Sequence, residues 1–202
     1  MATSKNIKES DINCKAIFEK VINRQISALM FHDEMADMYD FLGLAGFKRL
    51  HEYQYFCESA EYKAVKRYFL NHHNMLLSID EPVKKEYIPN DWKNYSRFDV
   101  NSQLRRQYVE KTMIEYWEWE KETKCCLECW AKELLDMGMV ADFEIVGKLV
   151  SDVDKELKCL ERLVLKLKAV DFDPVYVAEI QHDIHEKYKK KTKHKHIGID
   201  IY

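Results

Sequence analysis

Apolar residues recur in alternating steps of four and three along most of this chain, the spacing that keeps side chains on one face of an α-helix. Over residues 11–42 that face carries Cys14, Phe18, Val21, Ala28, Met35, Tyr39 and Leu42, with Gln25 and His32 in its two gaps. Ser10 or Asp11 can cap its start, and Gly43 and Gly46 are expected to end it in a short turn. A second helix is predicted over 47–75, with Leu50, Gln54, Cys57, Glu61, Ala64, Tyr68 and Met75 on its stripe. So short a connection makes the two an antiparallel hairpin.

A third helix is predicted over 101–137, striped by Met113, Tyr116, Glu120, Leu127, Trp130 and Leu134 and stopped at Gly138. The fourth, over 142–168, has Phe143, Val146, Val150, Val153, Leu157, Leu160, Val164 and Leu167, and a flanking face with Ile145, Leu149, Asp152, Glu156, Cys159 and Leu163. A shorter fifth helix opens at Asp173 and Pro174, a cap followed by proline at the first helical position, and reaches about residue 190. The remainder, KKKTKHKHIGIDIY, is basic and then apolar, and is expected to be loose.

Between the second and third helices lies the long stretch LLSIDEPVKKEYIPNDWKNYSRFD, with Pro82, Pro89, Tyr87, Trp92, Tyr95 and Phe98. A connection of this length is unusual in a compact domain. It is expected to run along the bundle, pack through its aromatics, and leave the second and third helices parallel. The predicted organisation is a four-helix bundle over 1–170, followed by the short helix and basic tail over 171–202.

Composition agrees with long helices. Of 202 residues 47% are hydrophobic and 33% charged, with only five Gly and three Pro, enough for a substantial core with few breaks. The formal net charge of −3 gives no basic field for nucleic acid. No apolar run approaches the roughly 20 residues that span a bilayer, and the opening MATSKNIKESD has no apolar signal core. A cytoplasmic protein with reduced thiols is expected. Cys125, Cys126 and Cys129 form a CCxxC run, but it reads as mid-helix and no second Cys/His pair has matching spacing. Core-filling thiols are the expectation, with a zinc–thiolate site the lesser alternative.

The informative exceptions to the pattern are acidic. Glu61, Glu120 and the pair Asp152 and Glu156 fall within or beside apolar stripes. A buried carboxylate costs several kcal/mol unless paired, protonated or metal-bound, and carboxylates from different helices converging in a bundle build di-metal sites. Metal-free readings exist for each. Glu61 and Glu120 can pair with Lys or Arg at bundle ends, or with the hydroxyls of Tyr39 and Tyr68. Asp152 and Glu156 are one turn apart and fit a solvated edge, as Glu115, Glu118 and Glu122 fit a solvated face. His32 reads as a hydrogen-bonded core residue or a metal donor. His72 and His73 suit a helix C-terminus. His182 and His185, beside Asp183 and Glu186, fit an exposed face or a surface metal pair. The chain has no GxGxxG, P-loop, HExxH or nucleophile-elbow motif.

Helix lengths, the long crossover and four local stretches, AEYKAVKRYF (60–69), IPNDWKN (88–94), WEKETKCCLE (119–128) and VSDVDKE (150–156), give a chain that resembles the ferritin-like superfamily, and ferritins in particular, over residues 18–168. The resemblance implies an all-α, ferritin-like four-helix bundle with a short fifth helix. It also implies iron as the bound metal, with ferrous iron oxidised by dioxygen or peroxide. Glu61 matches the second-helix Glu of the ferritin site, Glu120 the third-helix Glu and Glu156 a fourth-helix carboxylate. The expected His three residues after Glu61 falls on Ala64, the fourth-helix Gln on Val153, and the first-helix Glu on Ala28. Ferritins often place a Tyr seven residues after that first-helix Glu, as Tyr39 follows His32 here. A shift of one turn therefore makes His32 a donor beside Glu61, Glu120 and Glu156. The implied site is a degenerate di-iron centre, and ferroxidase-type activity is left open. The alternative is a metal-free bundle serving as a structural or interaction module. Four Trp, 12 Tyr and nine Phe exceed what one bundle interior holds easily, so a homo-oligomer is expected.

Overall fold

Each long helix ends at a residue able to take a left-handed backbone. The computed structural model describes residues 9–80 and 94–195, and its helices are α1 (Glu9–Phe41), α2 (Ala45–His73), α3 (Ser102–Asp136), α4 (Val140–Ala169) and α5 (Pro174–Lys195). Gly43 (φ 71°) turns α1 into α2, Asn74 (φ 54°) stops α2, and Gly138 (φ 75°) turns α3 into α4. Side-chain caps set the entry points of α3 and α5. The Asn101 side chain accepts the Leu104 N–H at 2.9 Å, and Asp173 accepts the Val175 N–H at 2.9 Å with Pro174 as the first helical residue.

The direction of each rod follows from what meets at one end. Cys14 near the start of α1, His73 at the end of α2 and Asp142 near the start of α4 come together, and Leu134 near the end of α3 lies in the same apolar cluster as Cys14. Thus α1 and α4 run one way and α2 and α3 the other. The second and third helices are parallel, as the long crossover requires. Five α-helices without a strand among the described residues form an all-α four-helix bundle with an added fifth helix. No helix among these residues is long and apolar enough to cross a membrane.

The apolar interior is divided in two. One cluster contains Phe31, Met35, Tyr39, Phe47, Met113, Tyr116 and Leu160; the other contains Phe18, Val21, Val65, Phe69, Leu127 and Leu149. On each of α1 to α4 the inward residues between these clusters are largely polar, so the bundle has a polar waist. All nine residues expected on the inner face of α1 are buried.

On α2 the buried stripe differs from the expected one. It runs through Phe47, Leu50, His51, Gln54, Val65 and Phe69, so steps of four follow Gln54, and Ala64 faces solvent. A helix of 3.6 residues per turn drifts away from any strict alternation of threes and fours.

Helix α5 is longer than expected and folds back along α2. Its Val177, Ile184 and Tyr188 join the first apolar cluster, and Tyr53 and Tyr188 meet with ring centroids 5.2 Å apart. Gly46 does not end α1. It lies in α2, where its N–H donates to Gln181 Oε1 at 3.0 Å. A Cβ there would fall inside the backbone of Gln181, so the missing side chain is what lets α5 approach. The helix continues to Lys195, through much of the stretch expected to be loose; residues 196–202 lie outside the described part.

Three further expectations are corrected. Cys125 and Cys129 are exposed rather than core-filling, and Cys126 is half-buried, because they lie on the outer side of α3 from Leu127 and Ala131. Tyr95 and Phe98 face solvent. A 3-10 turn over Arg97–Asp99, closed by the Ser96 N–H donating to the Asp99 carboxylate at 2.6 Å, turns Phe98 outward. Pro82, Tyr87, Pro89 and Trp92 lie outside the described residues. Asp152 is exposed and paired with Lys155 at 2.8 Å, which leaves Glu156 as the inward member of that pair.

Candidate metal centre

The waist is assembled from positions three and four apart on each helix, which share a face. Helix α1 contributes Arg24, Gln25, Ala28 and His32, α2 contributes His51, Gln54, Glu58 and Glu61, α3 contributes Tyr116, Glu120 and Thr123, and α4 contributes Val153 and Glu156.

Donor atoms of His32, Glu120 and Glu156 lie within 4.8 Å of one another. His32 and Glu120 are buried. Glu156 accepts hydrogen bonds from Gln54 Nε2 and the Tyr116 hydroxyl, and Gln54 Nε2 also reaches that hydroxyl at 3.1 Å. His32 and His51 face each other Nδ1 to Nδ1 at 2.9 Å, so one donates and the other accepts. The buried Nε2 of each ring has no hydrogen-bond partner among the described residues.

Glu61 lines an adjoining cavity of about 20 Å³ with Glu58, Glu120, Ala28 and Val153, a volume that holds one water-sized body. Gln25 also lines it, and neither polar atom of its buried side chain has a partner among the described residues. Residues Ala28, Glu61, Glu120 and Val153, which the resemblance aligned with ferritin ligand positions, therefore share one small space. Ala64, the position aligned with the ferritin His, does not.

Electrostatics favour protons or cations here. Burial, then the neighbouring charges of Glu61, Glu120 and Glu156, push Glu58 well above the ordinary carboxylate range. Burial and the charge of Glu156 raise Glu120, which Arg24 partly offsets. Burial moves Glu156 up to about 7, against the stabilising Tyr116 hydrogen bond and the charge of Lys191. Burial holds His32 well below its ordinary value, with His51 adding to the effect, and holds His51 down at about 3. Both imidazoles are neutral at physiological pH, the state in which imidazole binds metals.

Arg24 is the positive group facing these carboxylates from α1. Its Nε donates to Thr123 Oγ1 at 2.9 Å and its Nη2 to the Trp119 carbonyl at 3.0 Å. Tyr39 and Tyr68 serve elsewhere. The Tyr39 hydroxyl meets Thr112 Oγ1 at 2.5 Å, and Tyr68 donates to Asp142 at 3.1 Å. The surface readings of other groups agree with the structure: Glu115, Glu118, Glu122 and His182 are exposed.

Glu58, Arg24, His51 and Thr123 are the waist residues that sequence reasoning passed over. Glu58 stands three residues before Glu61 and four after Gln54, a spacing that marks it as inward once the stripe is allowed two steps of four.

No family model matches the chain, and no curated protein matches its sequence. Its backbone is similar to solved archaeal ferritins. A closed form of the Archaeoglobus fulgidus ferritin, made by site-directed mutagenesis, superposes with a TM-score of 0.71 at 14% identity, covering 89% of this chain and 97% of that one. The open-pore ferritin from the same hyperthermophilic archaeon gives 0.71 at 14% identity, covering 89% and 96%. A humanized archaeal ferritin gives 0.67 at 15% identity, covering 89% and 98%. The chain has a ferritin-like fold, a four-helix bundle with a further C-terminal helix.

Proposed function

We propose that this protein is a ferritin-like iron-binding bundle with a reduced ligand set, taking ferrous iron at its waist as cargo or substrate. One observation carries the reading: Glu58, Glu61, Glu120 and Glu156 converge from three helices beside His32, in an interior where their charges face a single α1 guanidinium, Arg24. The donor set suits the metal. Carboxylate oxygens with one imidazole favour iron over softer thiophilic ions. Gln25, whose polar atoms have no partner among the described residues, and the cavity beside it also fit a bound polar body. Glu61, Glu120 and Glu156 with His32 would hold the ion, and Glu58 adds a fourth carboxylate. In the metal-free state protons neutralise this cluster; a divalent cation replaces them. Bound iron supplies one-electron chemistry toward dioxygen or peroxide, and the negative ligands favour the ferric product.

Aerobic ferrous titration tests this. The wild type is expected to take up and oxidise iron, and Glu61→Ala and Glu120→Gln to lose most of both. Equal uptake and oxidation by all three proteins removes the proposal.

A metal-free bundle acting as a structural or interaction module is favoured by different features. Ala28 and Val153 put apolar groups where ferritins have ligands, and Arg24 supplies an internal cation. Metal analysis of protein purified without added iron separates the readings, since a stoichiometric metal lost on Glu120→Gln rejects the second.

Under either reading the protein is a homo-oligomer through its helix faces. Exposed Leu70 on α2, Leu165 on α4 and Tyr176 on α5 support this. Sedimentation at micromolar concentration tests it, and a monomer there refutes it.

A further inference from the structure

A second group of convergent side chains lies outside the waist, at the end of the bundle where α1 and α4 begin and α2 stops. Cys14 Sγ is 3.8 Å from His73 Nε2, and Asp142 Oδ1 is 2.8 Å from the same nitrogen. All three donor atoms lie within 4.8 Å of one another. Cys14 and Asp142 are buried, and the His73 side chain is 8% exposed.

This is not the arrangement of a nucleophile activated through a histidine. In such a relay the carboxylate holds Nδ1 while the nucleophile meets Nε2. Here thiol and carboxylate both lie against the same nitrogen, and the thiol also hydrogen-bonds the Asp142 carboxylate, so the three donor atoms crowd on one another with none held at Nδ1. Three donor atoms from three helices, all within 4.8 Å of one another, are close enough to share one cation. Tetrahedral zinc, with bonds of about 2.3 Å to sulfur and about 2.0–2.1 Å to nitrogen and oxygen, separates S from N by about 3.6 Å and N from O by about 3.3 Å. The sulfur at 3.8 Å lies about 0.2 Å beyond the first spacing and the carboxylate oxygen at 2.8 Å about 0.5 Å inside the second, so metal entry would push the imidazole and carboxylate slightly apart.

The geometry points to Cys14, His73 and Asp142 as a site for a zinc-type divalent cation, separate from the carboxylate waist. Sulfur, imidazole and one carboxylate form a softer set than the waist offers and suit zinc. Charge closes as well. A dication with one thiolate, one carboxylate and a neutral imidazole is neutral overall, which a dry site tolerates. Binding transfers the Cys14 thiol proton to solvent and forms one metal–sulfur bond. The surroundings hold the donors in place. The His73 ring stacks on Phe69 at 4.5 Å, and the Tyr68 hydroxyl donates to Asp142 at 3.1 Å, the kind of outer contact that orients a ligand. With three protein donors, a fourth position is left to water. Because the ligands come from α1, α2 and α4, the cation ties the start of α1 and the end of α2 to α4, at a bundle end where the chain itself links only α3 to α4.

Cobalt(II) titration of the full chain, followed by zinc displacement, tests this. The wild type is expected to develop a thiolate-to-cobalt charge-transfer band saturating at one equivalent and abolished by zinc. Cys14→Ser should lose the band, Asp142→Asn should weaken binding at least tenfold, and the triple variant Cys125→Ser, Cys126→Ser, Cys129→Ser should keep it. X-ray absorption of the zinc-loaded wild type, which needs no variant to fold, should show one sulfur at about 2.3 Å with nitrogen or oxygen completing the shell. No thiolate band in the wild type, a band surviving Cys14→Ser, a band lost in the triple variant, or a zinc shell with no sulfur or several each overturns the assignment.

Discussion

The guanidinium of Arg24 lies 3.5 Å above the ring of Trp119. The stacking and its hydrogen bonds to Thr123 and the Trp119 carbonyl station a permanent positive charge beside Glu120, whose proton affinity it lowers. Arg24 thus does in part what a metal would do, and the two compete. Arg24→Gln is expected to destabilise the metal-free protein by about 1–3 kcal/mol, through lost charged hydrogen bonds, and to tighten ferrous binding several-fold by removing a like charge. Urea unfolding and anaerobic calorimetric titration measure the two effects. Weaker metal binding in the variant would mean that Arg24 shapes the site rather than opposing its occupant.

His32 and His51 are coupled through their Nδ1 contact of 2.9 Å. Replacing one with leucine strands the other's buried nitrogen, at a cost of about 1–3 kcal/mol. Replacing both removes two polar groups together, so the double variant should be more stable than the sum of the single losses predicts, by about 0.5–3 kcal/mol. Additive losses in a double-mutant cycle would show that the two rings do not share a proton in solution.

Stability of the metal-free protein should fall as pH rises above about 6.5. Glu156 moves from an ordinary 4.5 to about 7 on folding, and Glu58 and Glu120 move in the same direction. The folded chain keeps protons that the unfolded chain has released, so this contribution declines from the unfolded value up through the folded one. His32 and His51 act oppositely. They are held below 6.5, His51 down to about 3, and their contribution is lost as pH falls through that range. The trends partly cancel below 6.5, and above it the carboxylates act alone. Tm is expected to drop between pH 6.5 and about 8, less steeply in Glu156→Gln, and to rise with pH once a divalent metal replaces the protons. A flat metal-free Tm over that interval would contradict the raised carboxylates.

Gly46→Ala tests how α5 is held. The added Cβ falls within the Gln181 backbone, so α5 must shift or detach, at about 1–3 kcal/mol. Faster limited proteolysis between α4 and α5 is expected, with little change in total helicity. Unchanged protease resistance would show that α5 does not press on α2 there.

The legible parts of the site were those where a polar residue interrupts a strong apolar stripe. On α1 the apolar pattern is dense, and Gln25 and His32 stand out against it. On α3 Glu120 follows Tyr116 by one turn and both are buried. Helix α2 was harder, because it carries polar residues on both faces. Its register could be written through Cys57 and Ala64 or through Glu58 and Val65, and a shift of one residue rotates a helix by about 100°. Glu58 was missed for that reason. Asp152 and Glu156 looked equivalent, but they differ by a turn and by whether Tyr116 and Gln54 lie opposite.

Periodicity and punctuation alone determined five helices, their turns at Gly43 and Gly138, the parallel pair joined by a crossover, and acidic interruptions inside the stripes. Those features are local, set by 3.6-residue geometry and by which residues accept a left-handed backbone. Tertiary packing decided which interruptions meet. It brought Glu58, Glu61, Glu120 and Glu156 to one waist, set Arg24 against them, laid α5 across Gly46, and gathered Cys14, His73 and Asp142 at one end. Such meetings depend on the axial stagger and rotation of whole helices, which are settled by the fit of many side chains at once.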